Sequence, residues 1–211
     1  MYPKKNFYHF IADIEWDSDI GHVKYFGGDV LVRKCFLEKI GGYNAGLIAG
    51  EDPELSSRIR DRGYDIIRLS RIMCYHDIDM STFSQYFRRC LRTGYAYAEV
   101  GLMMSRSSDY VWIFRAFKSL SKAVFTVLFL CLAFVFDDPG VILLAVFVNC
   151  AALVKIPIFM RGFRLSFLYG FFYSLHLILA SFIMGIGVFM YFFSFMAGFP
   201  FVKKALRVRY G

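Results

Sequence analysis

In the second half of this 211-residue chain, charged side chains become rare from Ala123 onward. Between Leu165 and Val202 there is no Asp, Glu, Lys or Arg. A water-soluble core needs no uncharged run of that length, so this half predicts membrane segments. Residues 1–115, by contrast, mix acidic with basic side chains and have the composition of a soluble domain.

The chain also lacks paired cysteines and an apolar leader. Its five cysteines, at positions 35, 74, 90, 131 and 150, form no CxxC pair and no zinc-type spacing. We expect them to be reduced, buried, small apolar side chains. The N-terminal MYPKKNFYHFIADIEWD has no apolar run of the signal-peptide kind, which predicts that the soluble part stays in the cytoplasm.

The net charge of +8 does not come from a single basic run. Acidic residues are mixed with the basic ones as far as Arg115, so the pattern disfavours nucleic acid as a partner. In a membrane protein an excess of Lys and Arg marks the cytoplasmic side instead. The lipid bilayer is therefore the partner that the charge favours.

Three hydrophobic segments are expected, at residues 119–136, 140–160 and 165–202. The first two form a hairpin around the acidic turn that begins at Asp137. The third would reach about 57 Å as one helix. Gly185 and Gly187 offer a break, so it is either one tilted span or two short ones, and the basic residues on both sides favour a return to the same side. We predict a multi-pass protein of the plasma (inner) membrane, with residues 116–211 as its transmembrane region.

Within residues 1–115 the pattern alternates between strand and helix. Val30 and Val32 suggest a short strand that leads into a helix ended by Gly41 and Gly42. The alternating residues Tyr64–Leu69, with their isoleucines, suggest a second strand. The expected fold class is therefore α/β, followed by an α-helical membrane region.

The stretch GEDPELSSRIRDRGY, from Gly50 to Tyr64, predicts a helix that Gly63 ends. Asp52 takes the N-cap position and Pro53 the first helical position in this prediction. Helix capping explains Asp52 well, but it does not explain its acidic neighbour Glu51. Capping and a catalytic carboxylate therefore remain as two interpretations of Asp52.

The order of motifs over residues 26–101 is more specific than any one of them. A Gly-Gly-Asp segment precedes a helix ending in GGY, then an acidic pair before DPELSSRIRDRGY, a strand before a histidine, and the helix SQYFRRCLRTG. This order resembles the C-terminal half of the catalytic domain in family 2 inverting glycosyltransferases, which have the GT-A fold. The resemblance implies that residues 1–115 are the acceptor-side part of such a domain.

Carried over onto this sequence, the resemblance makes Asp52 the general base, with Glu51 as its acidic partner. An inverting sugar transfer needs a carboxylate that takes the proton of the acceptor hydroxyl while that oxygen attacks the anomeric carbon. A carboxylate at a helix N-terminus stays ionised because the helix dipole favours the anion. Capping geometry and base function are thus compatible.

The resemblance also implies substrate-binding residues. These are Gly27, Gly28, Asp29, Gln85, Arg88 and Arg89. Arg suits a diphosphate because its donors are forked and its charge is permanent. Arg89 stands where processive members have Trp, which disfavours a processive polymerase. A different interpretation makes Arg88, Arg89 and Arg92 juxtamembrane cations that face anionic lipid.

The resemblance further implies a divalent metal ion, Mg²⁺ or Mn²⁺. His76 matches a histidine that in some GT-A enzymes helps to hold the metal or the diphosphate, and imidazole is a reasonable ligand for Mn-type ions. Asp77 and Asp79 extend this acidic cluster. The other interpretation is a polar turn with no ligand.

The family's nucleotide-binding half has no counterpart here. Asp17-Ser18-Asp19 spells DxD, but it lies only a few residues before Gly27, so we take it as a chance match. We expect a C-terminal fragment, a split gene product or a truncated reading frame. In a split product a separate chain carries the donor-binding half, and we expect no turnover by the isolated chain in any of these cases. The implied partners are a nucleotide-sugar donor and a glycan or lipid-linked acceptor, used in making cell-surface or exported polysaccharide.

Two other functions remain open from the sequence. One is a non-catalytic membrane protein whose cytosolic half binds a partner. The other is a small transporter or channel, which the sequence disfavours because His176 is the one ionisable side chain in the third hydrophobic run and more often packs than functions there.

Overall fold

A computed structural model describes residues 6–17, 19–74, 78–106, 109–137, 140–143, 167–198 and 201–207. The described residues are mostly helical. In chain order they form α1 (Phe7–Trp16), β1 (Gly21–Val23), α2 (Lys34–Lys39), α3 (Glu51–Arg60), β2 (Ile66–Arg68), α4 (Phe83–Met103), α5 (Val111–Phe136), α6 (Phe167–Ala197) and α7 (Phe201–Leu206).

The sheet in the described residues is a two-stranded antiparallel pair. Val23 of β1 lies opposite Ile66 of β2. The predicted strand at Tyr64–Leu69 is therefore confirmed in a shorter form, but the strand predicted at Val30 and Val32 is wrong, since that segment has no strand structure. Alternating valines favour a strand only where a neighbouring strand can pair with them. The GT-A fold stays a prediction.

The predicted ends of the two helices within residues 34–60 are confirmed. After α2, the N–H of Gly42 donates to the carbonyl of Leu37 at 2.9 Å. After α3, the N–H of Gly63 donates to the carbonyl of Arg60 at 2.8 Å. A small core joins the two helices, in which Ile40, Leu55 and Ile59 are buried.

Helices α4, α5 and α6 pack against one another along their lengths. Ala98, Ala116 and Val188, one from each helix, form a buried cluster at their centre. Of the two alternatives for the third run, the structure has the single helix, because α6 continues through Gly185 and Gly187 without a break. The two glycines instead allow close approach of the neighbouring backbones, since a Cβ at either one would collide with a main-chain carbonyl of α5 or α4.

Both long apolar helices have the length and composition needed to cross a membrane. Helix α5 covers the predicted segment 119–136 and ends at Asp137, which has a left-handed backbone (φ 49°) in the turn that the sequence predicts. It begins before residue 116, so the predicted domain boundary lies inside it. Apart from 140–143, the predicted segment 140–160 lies outside the described residues.

Helix α1 packs on the first half of α6. Ile11, Ile14 and Tyr173 are buried together there.

Of the described cysteines, all are free thiols as predicted, but only Cys90 is buried. The predicted burial of Cys35, Cys74 and Cys131 is wrong, because all three are exposed in the structure; Cys150 lies outside the described residues.

Candidate active site

The start of α3 differs from the predicted one. Its N-cap is Gly50, whose backbone is left-handed (φ 82°), and no side chain caps the helix. Asp52 is therefore the second helical residue, and its prediction as the N-cap is wrong. The position suits glycine because L side chains rarely adopt this φ, and because a Cβ there would lie 2.9 Å from Cγ2 of Val100 in α4.

The carboxylate of Asp52 does not cap α3, and it bonds instead to the loop that precedes α2. Its Oδ2 accepts a hydrogen bond from the backbone N–H of Gly28 at 2.7 Å. In the same loop, the N–H of Asp29 donates to the carbonyl of Gly27 at 2.6 Å, which makes a tight turn. The fold thus brings Gly27, Gly28 and Asp29 together with Asp52, and the roles that the resemblance implies for them stay predictions.

A serine one turn further along α3 fixes this contact. The hydroxyl of Ser56 donates to the carbonyl of Asp52 at 2.7 Å and accepts from the N–H of Phe26 at 3.2 Å. Ser56 is fully buried, so the hydroxyl that makes both bonds is shielded from water. The Gly27–Asp29 loop is consequently attached to α3 at two points.

Burial raises the pKa of Asp52, and the negative charges of Glu51 and Asp29 raise it further. The hydrogen bonds from the Gly28 N–H and the Tyr43 hydroxyl act in the opposite direction and offset only part of this rise. Glu51 itself is exposed. The pair therefore consists of one half-buried carboxylate with a raised pKa and one solvated neighbour that contributes charge.

Tyr43 is a site residue that the sequence reasoning missed. Its hydroxyl hydrogen-bonds to the Asp52 carboxylate, and burial together with that charge raises the pKa of Tyr43 to about 12. The phenol therefore stays protonated and remains a hydrogen-bond donor at neutral pH. The signal in the sequence is its place directly after Gly41-Gly42, at the end of a helix that has to turn back toward α3.

Arg58 connects the two helices beneath the site. Its guanidinium pairs with the carboxylate of Glu54 through bonds of 2.7 and 2.8 Å. It also donates to the carbonyls of Ile40 and Gly42, both at 2.6 Å. These carbonyls are left open where α2 ends, so a single side chain fixes the end of α2, and with it Tyr43, relative to α3.

The segment between Tyr43 and Gly50 is held against α4 and α7. Arg92 of α4 donates to the carbonyl of Ile48 at 2.5 Å, and Arg207 donates to that of Ala45 at 2.8 Å. Ile48 is buried with residues of α4 and α7. The loop that carries Tyr43 is thus supported from both sides.

The remaining predicted ligands lie elsewhere on α4. Gln85 completes a capping box with Thr82, in which its Oε1 accepts from the Thr82 N–H at 3.0 Å. Arg88 is exposed, and the guanidinium of Arg89 lies 5.6 Å from the ring centroid of Trp16 in α1. Gln85 and Arg88 precede Val100, the α4 contact of Gly50, by about 22 and 18 Å along the helix. The fold does not place them next to Asp52.

The predicted metal ion stays a prediction. Its expected ligand His76, with Asp77, lies outside the described residues. Within the described part of the chain, no group of three or more His, Cys, Asp or Glu side chains could hold a metal ion. Near the site, the thiol of Cys74 hydrogen-bonds to the carboxylate of Asp29, and this bond raises the pKa of Cys74.

Comparison with known proteins found no matching family model, no matching curated sequence and no matching solved structure. The geometry around Asp52 therefore carries the functional argument.

Proposed function

We propose that this chain is the acceptor-side, membrane-bound part of an inverting glycosyltransferase in which Asp52 is the general base. The observation that carries the proposal is the environment of the Asp52 carboxylate. It does not cap its own helix, it is half-buried between Gly28 and Tyr43, and burial raises its pKa. An ionised carboxylate with a raised pKa is a better proton acceptor than an ordinary surface carboxylate.

In the proposed reaction, the Asp52 carboxylate takes the proton of an acceptor hydroxyl. The acceptor oxygen forms a bond to the anomeric carbon as the bond from that carbon to the nucleoside diphosphate breaks on the opposite face. Tyr43 and the Gly28 N–H hold the carboxylate in place by donating to it. Glu51, being exposed, keeps the local charge negative without a direct bond to the proton in transit.

The donor is a nucleotide sugar, bound with a separate chain or domain that carries the nucleotide-binding half. The acceptor is a glycan or a lipid-linked glycan. In this proposal the site faces the cytoplasm at the plasma membrane. The support for membrane contact is the length and composition of α5 and α6. A divalent metal, where present, would supply charge stabilisation for the leaving diphosphate.

The test compares amide variants of two acids in α3 and its C-cap. Membranes from cells that produce the chain together with a separately encoded donor-binding half are given radiolabelled UDP- and GDP-sugars. Incorporation into the lipid and polysaccharide fractions is then measured. Asp52→Asn keeps an oxygen that can accept from Gly28 but loses the basicity, so we expect transfer to fall by at least about 100-fold.

The matched control is Asp61→Asn, which changes an exposed acid at the far end of the same helix. We expect transfer in this variant to equal that of the unsubstituted chain. Equal transfer in Asp52→Asn and Asp61→Asn would remove Asp52 as the base. No transfer from any donor in the unsubstituted chain would favour the non-catalytic, partner-binding function.

A further inference from the structure

One apolar face runs along nearly the whole of α6. Leu179 and Phe193 each lie within about 20° of Leu168 around the helix axis, at 100° per residue, so the three span about 40°. Their side chains are 59%, 41% and 48% exposed. The other large exposed apolar residues near this line are Phe172, Leu175 and Phe189. Because water is a poor solvent for such a stripe, this face requires an apolar partner.

The second half of α5 also exposes apolar side chains that require an apolar partner. Val124, Leu128, Leu130 and Phe134 are between 46% and 89% exposed. Ala133 is the buried residue of this half, and no charged side chain follows Lys122 before Asp137. Most of the apolar stretch in each of the two helices is left unburied by the rest of the described chain. Lipid is the partner whose chemistry fits a surface of this length and uniformity.

Charged groups from α1 flank the first half of α6. His176 is buried in α6, and its Nε2 lies 3.1 Å from Oε1 of Glu15. Its Nδ1 lies 2.8 Å from the hydroxyl of Tyr86 in α4. His176 follows Phe167 by about 14 Å along the helix axis. A carboxylate is thus attached to α6 well inside its length.

Charged groups from α4 flank the second half. A Cβ at Gly187 would collide with the carbonyl of Leu91, so the two helices touch at this level. Arg92 is the next residue of α4, and Arg88 lies exposed one turn earlier. Glu99, two turns further on, forms an ion pair with Lys203. The second half of α6 therefore has both cations and anions beside it.

The positions of these charged groups along α6 conflict with a crossing of the bilayer by this helix. A hydrocarbon layer of about 30 Å takes up about 20 helical residues. Any such stretch of the helix Phe167–Ala197 contains either His176, with Glu15 bonded to it, or Gly187, beside Arg92. Charges within the hydrocarbon are costly, and the exposed side chain of Arg88 would face lipid directly.

We infer that α5 and α6 lie within one leaflet of the bilayer, with their axes close to the membrane plane and their exposed apolar faces toward the acyl chains. The charged residues of α1 and α4 then lie on the opposite, water-facing side. Exposed Lys118 and Lys204 supply cations for anionic headgroups. This arrangement differs from the multi-pass topology that the sequence predicts, and it does not depend on the proposed sugar transfer.

The test measures the depth of three positions on the α6 stripe. The full chain, with its five cysteines replaced, receives a single cysteine in Leu168→Cys, Leu179→Cys or Phe193→Cys. Each is labelled with a small fluorophore and reconstituted into vesicles of phosphatidylethanolamine and phosphatidylglycerol, and quenching by nitroxide lipids gives the depth. We expect all three labels at similar depths of about 5–10 Å below the headgroup boundary.

Two outcomes would overturn the inference. If the label at position 179 lies near the bilayer centre and the other two lie shallow, α6 crosses the membrane. If nitroxide lipids quench none of the three, protein covers the stripe, either from a second copy or from another part of the chain. Arg88→Cys is the matched control on the opposite side of the bundle, and we expect no lipid quenching there.

A second measurement uses the unmodified chain and so avoids loss of folding through cysteine replacement. Oriented circular dichroism in stacked bilayers reports whether helix axes lie in the membrane plane or along its normal. We expect the in-plane spectrum. A spectrum dominated by helices along the normal would contradict the inference.

Discussion

The region around Asp52 and the three-helix layer of α4, α5 and α6 are held together by different kinds of contact. Around Asp52, single side chains bond to backbone groups of neighbouring segments, as Arg58 does to Ile40 and Gly42 and Asp52 does to Gly28. In the helix layer, backbones approach closely where glycine has no side chain, at Gly94, Gly185 and Gly187. The region around Asp52 therefore depends on particular hydrogen-bond donors and acceptors. The helix layer depends on positions that have no side chain.

This difference predicts opposite sensitivities. A bond such as that of Arg58 is lost when its donor is removed, even if the replacement has a similar size. A close backbone contact is lost when any side chain is added, whatever its polarity. Substitutions matched in this way separate the two regions by measurement.

The largest effect is expected for Gly94→Leu in α4. A Cβ at this position would fall on the carbonyl oxygen of Met184 in α6, and backbone cannot move aside as a flexible side chain can. We expect a loss of at least about 3 kcal/mol in the free energy of unfolding. Thermal unfolding in detergent micelles, followed by circular dichroism, measures it.

The control is Gly27→Ala, at a glycine with nothing within 4 Å of an added Cβ. Its unfolding midpoint is expected to stay close to that of the unsubstituted chain. Equal midpoints for Gly94→Leu and the unsubstituted chain would show that α4 and α6 do not touch at this level.

Arg58→Met is expected to have the next largest effect. It leaves the mostly buried carboxylate of Glu54 without its partner and two carbonyls without their donor. We expect a loss of about 2–3 kcal/mol, at the lower end for a broken buried pair because a quarter of the Arg58 side chain is exposed. Urea unfolding in the same detergent gives the value.

Arg62→Met, four residues further along the chain at an exposed position after α3, is the comparison variant. Arg62 donates one bond, to the carbonyl of Arg58 at 3.1 Å. Its change should stay within about 0.5 kcal/mol. Similar losses in both variants would mean that the carbonyls at the end of α2 do not depend on Arg58.

The smallest expected effect is the change in the free energy of unfolding caused by Asp52→Asn. Burial raises the pKa of Asp52 above its unfolded value, so the folded chain binds this proton more readily. The free energy of unfolding therefore falls as the pH rises from about 4 through the folded pKa. Removing the charge should raise stability at pH 7 by less than about 1 kcal/mol and leave it unchanged below pH about 4.

Thermal unfolding midpoints of the unsubstituted chain and of Asp52→Asn, measured between pH 3 and pH 8, test the sign of this stability change. A variant that is less stable at pH 7 would mean that the Gly28 hydrogen bond outweighs the cost of burying the charge. A gain at pH 7 together with lost sugar transfer would be the stability cost expected of a catalytic carboxylate.

Much of the local structure followed from residue patterns. The ends of α2 and α3, the strand at Ile66–Arg68 and the turn at Asp137 each rest on short-range signals. Gly42 and Gly63 follow their helices and bond back to carbonyls of the last turn. Such features need few long-range contacts, and for that reason sequence predicts them.

What the tertiary structure alone decided depends on segments far apart in the chain. Asp52 looked like an N-cap, but contact of Gly50 with α4 moved the helix start and turned the carboxylate toward Gly28. Gly185 and Gly187 looked like a break, but close approach of α4 and α5 made them contact points within one helix. Tyr43 follows the end of α2, which Arg58 bonds to α3. In each case the sequence determined which local conformations are allowed, and packing between distant segments selected one of them.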